Sequence, residues 1–284
     1  MTQIEDAKRF ARNLALFGAE GQSRLRAAAV AIIGLGGTGC HVAQQLAYLG
    51  TRRFLLVDPD VVEPSNLNRL VGATASDVGM AKTSVAERLI HAIEPAATVE
   101  QAVSSLDNAK VTAALVGVDY VFGCVDNDAP RLLLTDLASR NRIPYIDLAS
   151  DTGESEQLTW YGGRVFVTDG GKHCLSCARE LDQRELALAS MTPQQREADE
   201  RIYGVRPDAL EVAGPMVVSI NGVVAGLAVT EFMVWVTGLR RPRTHLIYRA
   251  DLGTVTARKE TRTESCYYCD ALWRRVGDDE PASD

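Results

Sequence analysis

The chain has 284 residues, 46% of them hydrophobic, and a formal net charge of −7. That is apolar material for a full core at the upper size of a single α/β domain, and the acidic balance excludes a basic nucleic-acid surface as the main function. The first ten residues mix both charges and hold no apolar stretch of the kind a signal peptide needs, so a cytoplasmic location is expected.

Residues 5–26 predict one or two helices, with Phe10, Leu14, Leu16 and Phe17 apolar and Arg9, Arg12, Arg24 and Arg26 basic. Ala29–Ile33 is a short apolar run, which predicts a buried strand, and glycines come directly after it. His41–Leu49 continues as a helix, and Arg52–Asp58 reads as a second buried strand. Residues 59–80 are polar, with Pro59 and Pro64, and predict a loop with short turns. Lys82–Ile93 is an amphipathic helix that ends before Pro95. Ala96–Val103 reads as a strand, Ala109–Leu115 as a helix, Asp119–Asp126 as a strand and Ala129–Arg140 as a helix, with a further strand over 143–149. This alternation predicts a doubly wound, Rossmann-like α/β fold.

Past residue 150 the pattern changes. Thr159–Thr168 and a hairpin from His245–Tyr248 to Gly253–Arg258 suggest antiparallel strands, which makes the sheet mixed. Residues 182–212 are polar, with few apolar anchors, and predict a surface crossover. Gly214–Gly238 is apolar but interrupted by Ser219, Asn221, Thr230 and Glu231, so it reads as a buried helix and not a membrane span.

Gly34-Leu35-Gly36-Gly37-Thr38-Gly39 lies between a strand and a helix. Glycines there let the backbone turn tightly and approach a phosphate, and the helix N-terminus adds partial positive charge. Asp58 ends the second strand about twenty residues on, where an acid bonds ribose hydroxyls. This pair alone also fits an NAD oxidoreductase or a nucleotide-sensing scaffold. Downstream of Asp58 lie Asn66, Arg69 and Lys82, then Asp126 and Asn127. A dehydrogenase has no use for that set. Adenylyl transfer does, because a carboxylate attacks the α-phosphate of ATP while pyrophosphate leaves, and fixed cations with Mg²⁺ must offset the gathered charge.

These motifs recur in order over roughly residues 8–270 and resemble the MoeB/ThiF/HesA family of ubiquitin-activating-enzyme-like adenylyltransferases. The resemblance implies that Gly34, Gly36, Gly37 and Gly39 form the phosphate loop and that Asp58 holds the ribose. It implies that Asn66, Arg69 and Lys82 contact the triphosphate, with Asp126 on Mg²⁺ and Asn127 beside it. Arg9-Phe10-Ala11-Arg12-Asn13 matches the motif whose arginine reaches the neighbouring subunit's ATP, so Arg12 and a homodimer are expected. The implied reaction is adenylation of the C-terminal carboxylate of a small ubiquitin-like protein ending in Gly-Gly. A separate sulfur donor or conjugating enzyme would act next. Transfer to a conjugating partner and adenylation of a ribosomal peptide are the alternatives. The layout expected is one domain over 1–270, with a helical segment (1–27), a nucleotide-binding half (28–150), a partner-binding half (151–270) and an acidic tail (271–284). Neither a nucleic acid nor a membrane is an expected partner.

Cys174-Leu175-Ser176-Cys177 and Cys266-Tyr267-Tyr268-Cys269 make two C-x-x-C pairs. Four thiolates are the number tetrahedral Zn²⁺ takes, and the resemblance implies a zinc clip between these two regions. With every position filled by thiolate, such a metal is structural. Cys40 and Cys124 remain, and they read as packing. Residues 178–213 contain no cysteine, which argues against a thioester formed there.

Overall fold

The computed structural model describes residues 8–155, 158–168, 173–192, 216–259 and 265–273. Among them one sheet has eight strands. The first five are β1 (Ala29–Ile33), β2 (Arg53–Val57), β3 (Thr98–Ala102), β4 (Tyr120–Gly123) and β5 (Tyr145–Ser155). The last three are β6 (Leu158–Thr168), β7 (His245–Arg249) and β8 (Thr254–Ala257). Their spatial order is β3-β2-β1-β4-β5-β6-β7-β8. The first five are parallel to one another, and β6, β7 and β8 join antiparallel.

All five residues of β1 are buried. A central strand covered on both faces reads as a continuous apolar run, and alternation survives only in which layer each side chain joins. Val30, Ile32, Phe54, Leu56 and Phe122 enter one core. Ala31, Ile33, Leu55, Val57 and Val121 enter the other.

Seven α-helices are described: α1 (Ala11–Ala27), α2 (Gly37–Leu49), α3 (Lys82–Ile93), α4 (Ala109–Leu115), α5 (Asp128–Asn141), α6 (Gln183–Ser190) and α7 (Val218–Thr237). Gly18, at φ 70 and ψ 177, breaks α1 into two pieces. By length and composition α7 is apolar enough to cross a membrane. Here it packs against α1, α2, β5 and β6, as the sequence predicts. Its buried Glu231 is fully partnered, by both Nη atoms of Arg240 at 2.6 and 2.7 Å and by the Arg243 N–H at 2.7 Å.

Three expectations change. The helix after the glycine loop starts at Gly37 rather than His41, so its open first turn belongs to the loop itself. The strand expected to end at residue 149 runs to Ser155, because β6 pairs with it over eleven residues. Within the expected polar crossover lies α6, whose Asp182 side chain caps the Arg184 and Glu185 N–H groups. The rest of that crossover, residues 193–212, lies outside the described residues, as do 1–7 and most of the expected acidic tail (274–284).

Candidate functional site

In an open doubly wound sheet, ligands bind beyond the carboxyl ends of the strands where the strand order reverses. Here that point lies between β1 and β4, and a crevice of ≈ 360 Å³ opens there. The glycine loop leaves β1 with Gly34 at φ +87, and a Cβ on it would sit 2.7 Å from the Cys124 carbonyl oxygen at the end of β4. A Cβ on Gly39 would sit 1.9 Å from the Gly34 oxygen, so only glycine lets α2 start this close to the strand. Among the described residues, one on Gly36 would meet nothing within 4 Å beyond its chain neighbours, and Gly36 lines the crevice.

Asp58 comes directly after β2 and is 4% exposed. Its Oδ2 accepts from the Leu35 N–H at 2.6 Å, and its Oδ1 accepts from the Asp60 N–H at 2.8 Å. Burial raises its carboxyl pKa above the usual range, against the pull of those two N–H groups. Asp58 therefore braces the glycine loop as well as lining the crevice. Lys82, the first residue of α3, donates from Nζ to Asp60 Oδ2 at 2.7 Å. Asn66 closes a short 3₁₀ turn (Pro64–Asn66) by accepting from the Glu63 N–H at 3.0 Å. That turn places Arg69, whose Nη1 donates to the Ser65 carbonyl at 2.7 Å. Arg69, Lys82, Asn66, Asp126 and Asn127 all line the crevice. Asn127 stands just before α5 but makes no capping bond, and its Nδ2 donates to Asp126 Oδ1 at 3.3 Å. The exposed Asp126 carboxylate is thus left facing the crevice.

Of the expected nucleotide-site residues, Gly39 packs behind the loop against Gly34, and Arg12 does not line this chain's own crevice. It is exposed on α1, and the neighbouring Arg9 makes the local ion pair instead, with Glu94 at 3.0 Å.

A buried charge cluster behind Asp126 has no signature in the sequence. Arg131 donates to the Val125 carbonyl and to Asp128 Oδ1, both at 2.7 Å. Asp147, fully buried on β5, lies 3.3 Å from Arg131 Nε and 2.9 Å from Arg164 Nη1. Tyr145 Oη donates to it at 2.9 Å. Arg131 thereby fixes the backbone that presents Asp126. These residues are dispersed along the chain, so no short motif contains them. A second cavity of ≈ 920 Å³ over the antiparallel strands adjoins the crevice, and Asp126, Arg131 and Ser150 line both.

The cysteine pairs do meet. The four Sγ atoms of Cys174, Cys177, Cys266 and Cys269 lie within 4.8 Å of one another, and all four residues are buried. Cys174 Sγ is 3.8 Å from Cys177 Sγ and 3.6 Å from Cys266 Sγ. Four sulfurs about 2.3 Å from a tetrahedral zinc stand about 3.8 Å apart, so the donor set fits that ion. The other two thiols are inert by environment. Burial pushes Cys40 up to about 11 and Cys124 higher still.

Fold and crevice together define a Rossmann-like α/β protein with a glycine loop and acidic and basic side chains gathered at its switch point. The chain belongs to the ThiF family, which matches residues 10–268. It is similar to the SAMP-activating enzyme E1 of Haloferax volcanii, 35% identical over 178 residues that make up 62% of either chain. It thus spans less than two thirds of that relative's length. It is also similar to the heterocyst protein HesA of Trichormus variabilis, 27% identical over 275 residues, covering 95% of this chain and 91% of that one. Among solved structures, the microcin C7 biosynthetic enzyme MccB in complex with N-formylated MccA aligns with a TM-score of 0.70 at 20% identity, over 95% of this chain and 77% of that one. At that identity the likeness shows the fold alone.

Proposed function

We propose that this chain adenylates the C-terminal carboxylate of a small ubiquitin-like protein ending in Gly-Gly, consuming ATP and releasing pyrophosphate. One observation carries the reading: Arg69, Lys82 and Asp126 gather around a glycine loop in a crevice that adjoins a second, larger cavity. The glycine loop and the first turn of α2 take the phosphates, and Asp58 takes the ribose. Arg69, Lys82 and Asn66 offset negative charge as carboxylate and α-phosphate approach. Asp126 fits Mg²⁺, which is held by one or two carboxylates together with substrate phosphates and supplies neutralising charge when bound. The second cavity, over the 151–270 half, admits the partner's terminal segment. No nucleophile of this chain is needed, because the partner's carboxylate attacks. All six cysteines are buried, so the acyl group passes to another protein, a sulfur donor or a conjugating enzyme.

Three further parts belong to this reading. Zinc on the four cysteines pins the segment around residue 269 to the core. Arg12, exposed and outside the lining of its own crevice, serves the site of a second copy in a homodimer. The relevant compartment is the cytoplasm.

The test is ATP–pyrophosphate exchange with a purified ubiquitin-like protein bearing a free Gly-Gly terminus, taken from a neighbouring gene. Exchange is expected only with that protein present, and Asp126→Ala and Lys82→Ala are each expected to lower it by about a hundredfold or more. Unchanged exchange in Asp126→Ala would remove the metal role, and exchange with a C-terminally amidated partner would remove the reaction.

A further inference from the structure

Asn221 sits near the start of α7 and is fully buried, at 0% exposed. Its Oδ1 accepts from Ser150 Oγ at 2.7 Å, which fixes the plane of the carboxamide. Among the described residues its Nδ2 has no hydrogen-bond partner. A buried amide donor without a partner forfeits its hydration, and such groups are rare unless something else satisfies them.

The orphan donor points at a particular place. A Cβ on Gly37 would lie 2.2 Å from Nδ2 and 3.5 Å from Arg69 Cδ, so the amide reaches the loop only because residue 37 is glycine. Gly37 is the first residue of α2, a helix of 13 residues, where backbone N–H groups lack intrahelical acceptors. Asn221, Ser150, Gly37 and Arg69 all line the crevice. The amide of Asn221, the guanidinium of Arg69 and the open first turn of α2 are all donors. A cluster of donors with no acceptor among them suits an anion.

We infer that Asn221 is a nucleotide-binding residue: its Nδ2 donates to a phosphate oxygen seated on the N-terminus of α2, and Ser150 holds the carboxamide in that orientation. The inference rests on the nucleotide reading of the crevice. It adds a donor from the far half of the chain, carried by the helix that comes after the polar crossover. Phosphate binding is thereby tied to the seating of α7 against α2.

Calorimetric titration with ATP, AMP and adenosine tests it, on wild type, Asn221→Ala, Asn221→Asp and Ser150→Ala, each checked for an unchanged melting temperature. Asn221→Ala is expected to weaken ATP and AMP about ten- to hundredfold and to leave adenosine unchanged. Asn221→Asp, equal in shape, is expected to weaken ATP further by turning an acceptor toward the phosphate, and it remains testable where the alanine variant folds poorly. Ser150→Ala should give a smaller loss. Wild-type ATP affinity in the folded Asn221 variants overturns the inference. Equal losses for ATP and adenosine also overturn it, since they mark a merely structural role. Wild-type protein that binds neither ATP nor AMP overturns the nucleotide reading itself.

Discussion

Two alanine substitutions in the glycine loop separate what the fold requires from what the ligand requires. At Gly36 an added methyl meets no atom of the described residues beyond its chain neighbours within 4 Å, and φ of −76 lies outside the left-handed region that favours glycine. Gly36→Ala should therefore fold with stability equal to wild type or up to about 1 kcal/mol higher, through a stiffer unfolded chain. The methyl extends about 1.5 Å into the crevice, into space a phosphate oxygen would occupy about 2.9 Å from a loop N–H. Displacing the triphosphate by about 1 Å costs about a hundredfold in rate. At Gly39 the new Cβ lies 1.9 Å from the Gly34 oxygen, far inside an ordinary C···O contact of about 3.3 Å. Helix and strand must part. Overpacking of this kind costs about 1–3 kcal/mol, offset in part by the helix propensity of alanine, about 1 kcal/mol. Thermal melts and ATP titration on both variants read the two effects apart. Gly39→Ala should melt lower by about 2–4 °C per kcal/mol lost, and Gly36→Ala should melt as wild type yet bind ATP at least about tenfold more weakly. Wild-type ATP affinity in Gly36→Ala would refute the phosphate role of the loop.

Purified protein is expected to carry about one zinc per chain, and Cys266→Ser or chelation to lose about 3–5 kcal/mol of stability, the scale of a crosslink over some ninety residues; elemental analysis without zinc, or melts indifferent to chelator, would reject this. Arg12→Ala is expected to abolish exchange, and mixing it with Lys82→Ala to restore up to about a quarter of wild-type activity, since half of randomly mixed dimers hold one intact site. No recovery in a demonstrated mixed dimer would place Arg12 in its own chain's site. Burial raises the Cys40 thiol from 9.0 to about 11, so the folded chain holds that proton more tightly than the unfolded one. The resulting stability is complete below pH 9.0 and is lost as pH rises through about 11. Cys40→Ser should flatten that part of the stability profile, and an unchanged alkaline slope in chemical denaturation would contradict it.

The glycine loop, Asp58 and the two cysteine pairs were legible in the sequence because each rests on local chemistry: a tight turn, a strand end, a knuckle. Alternating strands and helices revealed the parallel half for the same reason. Helix α6 was hidden by its polar composition, and only Asp182 with Glu185 three residues on offered a capping signal. The full length of β5 depends on its partner β6, a tertiary fact absent from either stretch alone. Asn221 looked like an interruption in an apolar helix. Its meaning appears only once α7 is laid against Gly37 and Ser150, which come from distant parts of the chain. Arg131 and Asp147 sit on different elements and read singly as ordinary surface charges, yet both are buried.

The cysteine cluster also carries a clock. Cys174 and Cys266 stand 92 residues apart. Ribosomes add about 5–20 residues per second, so the second pair emerges about 5–20 s after the first. Throughout that interval the nascent chain displays a lone dithiol, half a ligand set, open to oxidation or to a soft ion of the wrong kind. On the proposed zinc reading, capture of the ion marks completion: a chain stalled before residue 269 cannot bring all four thiols together, however well its first five strands have folded. Starving cells of zinc during translation should then yield chains that have made the glycine loop but never locked.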